Sequence, residues 1–312
     1  MVTTELCGVA LENPTILASG ILGVTASSLK RVADAGAGAV TMKSVGAEKR
    51  LGHKNPTMVE VTGGWLNAMG LPSPGPESAI KEIHDYKKRC GTPLIASFHA
   101  STAAGFGPLA KRISEGMGPG TGPDLLEANI SCPNVESEFG TPFSADVKKA
   151  AQVVKAVKSA TKGLEVPLLV KLSPNVPSIA AIAKAVEKAG ADGITAINTL
   201  GPGMVIDLKT RKPVLENKAG GMSGPAVKPI AVRCVYDIYE AVKIPIVGVG
   251  GVDNGEDAAE MIMAGATAVG IGSGVAYRGI NVFKEVAGEL DRFMKQEGFK
   301  SLKEMRGIAH KE

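Results

Sequence analysis

Cysteine is scarce in this chain. Its four cysteines, Cys7, Cys90, Cys132 and Cys234, are widely spaced over 312 residues and form no C-x-x-C pair. Structural zinc sites and iron–sulfur clusters need closely spaced thiolate ligands, so the sequence gives no case for either, and we expect no metal site. A low cysteine count in a chain of this length is typical of a reducing compartment, which predicts a cytoplasmic protein.

Long apolar runs and a strong excess of one charge are also missing. No apolar run approaches the ~18 residues that span a bilayer, and residues 1–14 lack the basic stretch and apolar run of a secretory signal. The net charge of +4, from 35 basic and 31 acidic residues, is too small to indicate nucleic acid or an anionic membrane. We therefore expect neither a membrane nor a nucleic-acid partner.

What the sequence does contain is a repeated junction. Ala35-Gly36-Ala37, Ala189-Gly190-Ala191 and Ala264-Gly265-Ala266 each follow a predicted amphipathic helix and precede a short apolar run. Glycine fits the left-handed position just beyond a helix end. Three such junctions indicate a repeated βα unit.

Apolar periodicity then predicts the elements. Ile179, Ile182 and Val186 mark one helix, with Ser178 as its N-cap; Asn254 caps another helix, and Cys234 lies on the apolar face of a third and is predicted to be core. The predicted strands are Thr15–Ala18, Ala39–Lys43, Leu94–Phe98, Leu125–Ile130, Leu168–Leu172, Gly193–Ile197, Ile244–Val249 and Ala268–Gly272.

Eight strands alternating with helices predict a (β/α)₈ TIM barrel, a fold of ~250 residues before insertions. The additional residues fall in three long βα connections, about residues 44–76, 131–144 and 198–224, which should lie over the C-terminal face. No change in composition marks a second domain, so we expect residues 1–312 to form one domain. A doubly wound open sheet is the alternative architecture.

Polar residues cluster where the predicted strands end. In a closed barrel these ends converge on one site. Each residue also has a simpler interpretation, since a lysine can be solvated and an asparagine can close a turn. The residues are Lys43, Asn129, Cys132, Lys171, Asn198 and Thr199.

Cys132 follows the fourth predicted strand, between Asn129 and Asn134, and Pro133 stops that strand. A thiol in a strand-end loop can act as a nucleophile, an acid or a base. The alternative is a small buried hydrophobic residue, which is what most free cysteines are.

Two glycine clusters follow the last two strands: Gly248-Val249-Gly250-Gly251 and Gly270-Ile271-Gly272-Ser273-Gly274. Loops in these positions often bind phosphate in such barrels, because glycine lets backbone N–H groups approach its oxygens. Neither cluster fits G-x-G-x-x-G, and the chain has no Walker A sequence. Two tight turns that simply need glycine are the alternative.

Two further loops carry candidate ligands. Asn67 to Pro72 combines a carboxamide with small residues and could cover a flat ligand. Gly220 to Pro225 precedes a predicted helix, where Ser223 is either a helix cap or a ligand-binding group.

Together, these motifs resemble the class 1 dihydroorotate dehydrogenases, in the same order and over almost the whole chain. Class 2 members have serine in place of the loop cysteine. Gly201-Pro202-Gly203-Met204 and Ala309-His310-Lys311 most resemble archaeal members of the two-subunit 1B group. The segments that carry the class 1 resemblance are Lys43-Ser44, Asn67 to Leu71, Asn129 to Asn134, Val170 to Asn175, Ile197 to Thr199, Gly220 to Pro225 and Val249 to Gly251.

The resemblance implies oxidation of (S)-dihydroorotate to orotate in pyrimidine biosynthesis, with Cys132 as the catalytic base and Lys43 stabilising negative charge. The implied substrate contacts are Lys43, Asn67, Ala68, Met69, Gly70, Leu71, Asn129, Asn198 and Thr199. The implied contacts to flavin mononucleotide (FMN) are Ser19, Lys43, Ser44, Ser97, Asn129, Lys171, Ile197, Gly224, Gly250, Gly251, Gly272 and Ser273.

The third strand departs from the family. Many bacterial relatives have Asn-Val-Ala-Gly there, and the asparagine contacts flavin; here the segment reads Ser97-Phe98-His99-Ala100. Ser97 is expected to replace one hydrogen bond of that asparagine. His99 is either an additional site group or a loop histidine without a ligand.

The resemblance to class 1B also implies a partner. A homodimer of this chain would pass electrons to NAD through a second subunit with FAD and a [2Fe–2S] cluster, as a heterotetramer. Four alternatives stay open at this point: a fumarate-dependent homodimer of class 1A, an FMN barrel acting on another pyrimidine ring, a phosphate-binding isomerase or lyase, and a non-catalytic binding barrel.

Overall fold

Eight parallel strands close into a barrel in the computed structural model, which describes residues 2–115, 120–131 and 143–311. The predicted (β/α)₈ barrel is therefore confirmed, and the open sheet is wrong. In chain order the strands are β1 (Thr4–Leu6), β2 (Val9–Leu11), β3 (Thr15–Leu17), β4 (Ala39–Thr41), β5 (Met58–Val61), β6 (Gly64–Asn67), β7 (Leu94–Phe98), β8 (Leu125–Asn129), β9 (Leu168–Leu172), β10 (Gly193–Ala196), β11 (Leu200–Gly203), β12 (Ile206–Asp207), β13 (Lys212–Pro213), β14 (Gly220–Ser223), β15 (Ile246–Val249) and β16 (Ala268–Ile271).

The barrel order is β3-β4-β7-β8-β9-β10-β15-β16, and β16 pairs with β3 to close it. The eight predicted strands are these eight, with end positions that differ by up to two residues. Because each strand is parallel to the next, all eight carboxyl ends lie at one end of the barrel.

Helices connect the strands on the outside. Ser178 caps the helix Ile179–Lys188, where its Oγ accepts from Ala181 N at 3.2 Å, and Asn254 caps the helix Gly255–Met263, as predicted. None of these helices is both long and apolar enough to cross a membrane. They are α1 (Ala26–Asp34), α2 (Pro76–Lys87), α3 (Ala103–Ser114), α4 (Val147–Ala160), α5 (Ile179–Lys188), α6 (Lys228–Ala241), α7 (Gly255–Met263), α8 (Gly274–Arg278), α9 (Val282–Gln296) and α10 (Leu302–Met305).

The three repeated junctions take the predicted conformation. Gly36, Gly190 and Gly265 have φ values of +95°, +106° and +124°, which favour glycine over any residue with a side chain. Cys234 is buried on α6, so its assignment to the core is also confirmed.

The barrel has two layers of hydrophobic core. The larger one lies between the strands and the surrounding helices. The smaller one fills the amino-terminal half of the barrel, where the β1–β2 hairpin contributes Leu6 and Leu11 and the barrel strands contribute Ile16, Leu125 and Leu169 among others. The amino-terminal end is thus closed with hydrocarbon, which leaves the carboxyl ends of the strands as the open end.

An antiparallel sheet of four strands, in the order β11-β14-β6-β5, lies in the connections after β4 and β10. We predicted only long loops there. The reason is composition: β11 and β14 read LGPG and GGMS, without the apolar alternation that indicates a strand. Glycine is required by close packing instead, since a Cβ at Gly221 would overlap the Thr199 hydroxyl and a Cβ at Gly64 would overlap Ser223 O.

Two aspartates tie neighbouring barrel strands together at their amino-terminal ends. Asp124 accepts from Leu94 N at 2.7 Å and from Lys87 Nζ at 2.8 Å. Asp192 repeats the arrangement with Leu168 N at 2.7 Å and Lys158 Nζ at 2.9 Å. Each carboxylate therefore joins the first residue of the preceding barrel strand to a helix.

Replacing Asp124 by alanine is expected to lower the free energy of unfolding by about 1–3 kcal/mol, because the buried Leu94 N–H and Lys87 both lose their acceptor. Urea denaturation would measure this change. Asp34→Ala is the control, since Asp34 makes an exposed i,i+4 pair with Lys30, and we expect about 0.5 kcal/mol or less there. Equal effects of the two substitutions would contradict the prediction.

Candidate active site at the carboxyl ends of the barrel strands

A cavity of about 500 Å³ lies at the carboxyl ends of the barrel strands. It brings together residues that are up to 258 positions apart, as between Ala18 and Ala276. The predicted site residues that line it are Ser19, Lys43, Ser44, Asn67, Met69, Gly70, Leu71, Asn129, Lys171, Ile197, Asn198, Thr199, Gly224, Gly250, Gly251, Gly272 and Ser273.

Three predicted site residues are not part of that lining. Ser97 and Ala68 are fully buried behind the cavity wall. Cys132, the predicted base, lies outside the described residues, which resume at Phe143. The role of Cys132 therefore stays a prediction.

Lys171 lies on β9 and lines the cavity, with only 5% of the residue exposed. Within residues 2–115, 120–131 and 143–311 its ammonium group forms no hydrogen bond or ion pair. The ammonium nitrogen keeps some exposure to the cavity, so the charge has no partner among the described residues but is not sealed off from the cavity. A cation held this way fits a ligand that carries negative charge or accepts electron density.

Two carboxamides form the polar floor of the cavity. Asn129 Nδ2 donates to Ser44 Oγ at 3.1 Å. Its Oδ1 accepts from Ser131 N at 3.3 Å and from Asn198 Nδ2 at 3.4 Å. Asn198 also donates to Ser131 Oγ at 2.8 Å and accepts from Thr199 N at 2.8 Å. The two side chains are therefore held in one orientation by partners on three different strand ends.

Ser97 supports this floor from below. Its Oγ lies 2.7 Å from Ser44 Oγ and donates to Glu127 Oε1 at 2.9 Å. The replacement of the family's asparagine by Ser97 had suggested a direct contact with the cavity. Ser97 makes no such contact. It acts on Ser44, which does line the cavity.

The glycine loops after β15 and β16 form one wall. Gly251 has φ of +72°, and a Cβ there would lie 2.7 Å from Lys228 Cβ. In the described part of the chain, the backbone N–H groups of Gly251, Gly272 and Ser273 donate to no other group. Donors of this kind in a glycine-rich wall suit a phosphate group.

The antiparallel sheet also contributes to the cavity lining. Asn67 ends β6 rather than lying in a loop, and its Nδ2 donates to Gly221 O on β14 at 3.3 Å. Ser223 ends β14 and lines the cavity, while the following 3₁₀ turn, Pro225–Val227, has no side-chain cap. The interpretation of Ser223 as a helix cap is therefore wrong.

Sequence reasoning missed an apolar part of the lining. Hydrocarbon and aromatic surface is contributed to the cavity by Ile21, Leu22, Met58, Trp65 and Met222. Trp65 is the only tryptophan of the chain and stands in a glycine-rich segment, which was the one signal available. A cavity lined by both apolar and polar side chains suits a flat ring with one polar edge.

His99 is buried and does not line the cavity. Its burial, followed by the nearby charges of Arg50 and Lys43, lowers the pKa of His99 to about 4. The ring is therefore neutral near pH 7. Of the two interpretations of His99, the one without a ligand role agrees with this position.

Comparison with known proteins decides the family. A profile described as dihydroorotate dehydrogenase matches residues 1–294 of the chain. The chain belongs to the dihydroorotate dehydrogenase family.

Similar dihydroorotate dehydrogenases come from archaea. The chain is 47% identical to "Dihydroorotate dehydrogenase B (NAD(+)), catalytic subunit" of Methanocaldococcus jannaschii, over 99% of this chain and 98% of that protein. It is 46% identical to the protein of the same name from Methanothermobacter thermautotrophicus, over 99% of both chains, and 42% identical to that of Pyrococcus abyssi, over 100% of both. The resemblance to archaeal members of the family is thus confirmed over the full length.

Proposed function

We propose that this chain is the catalytic subunit of an NAD-dependent dihydroorotate dehydrogenase, which oxidises (S)-dihydroorotate to orotate with FMN as cofactor. The observation that carries the proposal is the convergence of Lys43, Lys171, Asn129 and Asn198 on one cavity that is also lined by apolar side chains. Family membership supports the reaction, and the donor-rich floor supports an anionic pyrimidine as its substrate.

FMN fits the donor set of the cavity. The unengaged backbone N–H groups near Gly251, Gly272 and Ser273 would hold the phosphate. Lys171 would stand beside the ring as the buried cation that its added electron density requires. By resemblance, Ser19, Lys43, Ser44, Asn129, Ile197, Gly224 and Gly250 would complete the contacts, and Ser97 would act through Ser44. When bound, FMN supplies the hydride acceptor of the reaction.

The residues of the chain supply position and proton transfer. Oxidation removes a proton from C5 and a hydride from C6 of dihydroorotate, which leaves the new C5–C6 double bond of orotate. Carboxamides both donate and accept, so Asn67, Asn129 and Asn198 suit the imide edge of the substrate. Lys43 would balance its carboxylate, and Cys132 would take the C5 proton as thiolate.

The relatives' names denote a catalytic subunit, which supports a second subunit for this chain as well. We propose a homodimer of this chain as the core of a heterotetramer, in which the second subunit carries FAD and a [2Fe–2S] cluster and passes electrons to NAD. One domain formed by residues 1–312 is part of the same proposal.

Purified protein incubated with FMN should turn yellow and retain about one FMN per chain after gel filtration. Dihydroorotate should then bleach the flavin without oxygen, whereas dihydrouracil should not, because it lacks the carboxylate. The isolated chain should reduce a dye but not NAD. A colourless protein would contradict FMN binding, bleaching by dihydrouracil alone would reassign the substrate, and rapid turnover with fumarate would reassign the acceptor.

A further inference from the structure

One buried acid has no role in the reaction described above. Glu127 lies in the middle of β8, inside the barrel, and is 2% exposed. Its Oε1 accepts from Ser97 Oγ at 2.9 Å, and the residue does not line the cavity. A buried carboxylate is costly, and one beneath a cavity that suits an anion is more costly still.

Because Glu127 accepts from Ser97, the hydrogen bonds above it run in one direction. A serine hydroxyl has one hydrogen, and that of Ser97 is given to Glu127. In the 2.7 Å contact between the two serines, Ser44 must therefore be the donor. Ser44 Oγ then serves as the acceptor for Asn129 Nδ2 at 3.1 Å.

This direction decides what the floor offers to a ligand. The single hydrogen of Ser44 points away from the cavity, and Asn129 Oδ1 is occupied by Ser131 and Asn198. Asn129 Nδ2 has a second hydrogen beyond the one given to Ser44. Together with the ammonium group of Lys171, the floor therefore presents donors to the cavity.

We infer that Glu127 is a positioning residue. As the terminal acceptor of the chain Asn129–Ser44–Ser97–Glu127, it fixes the direction of these hydrogen bonds and keeps the floor complementary to an anionic pyrimidine. Removing the acceptor frees the Ser97 and Ser44 hydroxyls to rotate, which loosens Asn129. The inference rests on the proposed function and adds to it a residue that never touches the substrate.

Two substitutions at Glu127 separate the acceptor from the charge. Glu127→Gln keeps an oxygen that can accept from Ser97, and Glu127→Met removes it at similar volume. We expect orotate to bind about tenfold more weakly to the methionine variant and within about threefold of wild type to the glutamine variant. Titration with orotate, followed by the shift in the absorption of oxidised flavin, measures this without turnover.

Equal weakening in both variants would overturn the inference, because the charge and not the acceptor would then matter. Wild-type affinity in both variants would also overturn it. If the methionine variant does not fold, Ser97→Ala breaks the same chain without touching Glu127 and should lose about tenfold in orotate affinity. Wild-type affinity in Ser97→Ala would overturn the inference as well.

The matched control is Ser114→Ala, since the buried Ser114 hydroxyl on α3 has no hydrogen-bond partner among the described residues and lies outside the cavity lining. Its orotate affinity should equal that of wild type. A wild-type protein whose flavin spectrum does not respond to orotate would contradict the proposed function itself. A responsive wild type with equally responsive Ser97→Ala and Glu127→Met variants would contradict only the role of Glu127.

Discussion

Cys132→Ala is expected to reduce bound flavin with dihydroorotate about 10²–10⁴-fold more slowly than wild type, while FMN stays bound. The physical reason is that the C5 proton then has no base within the site. Anaerobic stopped-flow mixing with dihydroorotate, followed at the flavin absorption, gives the rate. The cysteine lies outside the described residues, so this experiment is the direct test of its role.

Cys132→Ser should retain some activity and need a higher pH than wild type. A free thiol has a pKa of ~8.5, and a serine hydroxyl is a much weaker acid, so less of the basic form is present at any given pH. The matched control is Cys234→Ala, because Cys234 is buried on α6 and does not line the cavity. An unchanged rate in Cys132→Ala would remove the thiol from the mechanism.

Lys171→Met is expected to weaken FMN binding without destabilising the protein that lacks FMN. FMN should bind on the order of 10²-fold more weakly, because a charge-assisted contact to the ligand is lost. The protein without FMN should be at least as stable as wild type, because an ammonium with no partner in the described residues is replaced by hydrocarbon of similar length. Fluorescence titration with FMN and thermal unfolding of the apoprotein measure the two effects.

Lys158→Met is the control for the effects on FMN affinity and on the stability of the apoprotein. Lys158 is paired with Asp192 at 2.9 Å at the opposite end of the barrel. Its loss should leave FMN affinity unchanged and should not stabilise the apoprotein. A less stable apoprotein of Lys171→Met with normal FMN affinity would show that Lys171 serves the fold and not the ligand.

Those site residues that directly follow a barrel strand could be predicted from the sequence. Lys43, Asn129, Asn198 and Thr199 follow short apolar runs, and the closure of the barrel brings such positions together wherever they lie in the sequence. Ser223 could not be assigned in this way. A serine before a helix has the same local pattern whether it caps the helix or ends a strand, and only the pairing of β14 with β6 separates the two.

The hydrogen bond between the buried residues Glu127 and Ser97, which supports the site, could not be predicted from the sequence either. Glu127 stands inside an apolar run, where local sequence offers no reason for a carboxylate. Its partner Ser97 is 30 residues away, on the neighbouring strand. A hydrogen bond of this kind follows from strand register, which local periodicity does not specify.

The sequence by itself therefore determined the barrel, because alternating apolar runs and glycine junctions have few other ways to bury their hydrocarbon. It also determined which end of the barrel carries the chemistry, since parallel strands share the direction of their carboxyl ends. Only the tertiary structure decided that a glycine-rich antiparallel sheet forms one wall, that Ser97 lies behind Ser44, and that Lys171 is buried. Each of these depends on contacts between residues far apart in the chain, which exist only once the barrel has closed.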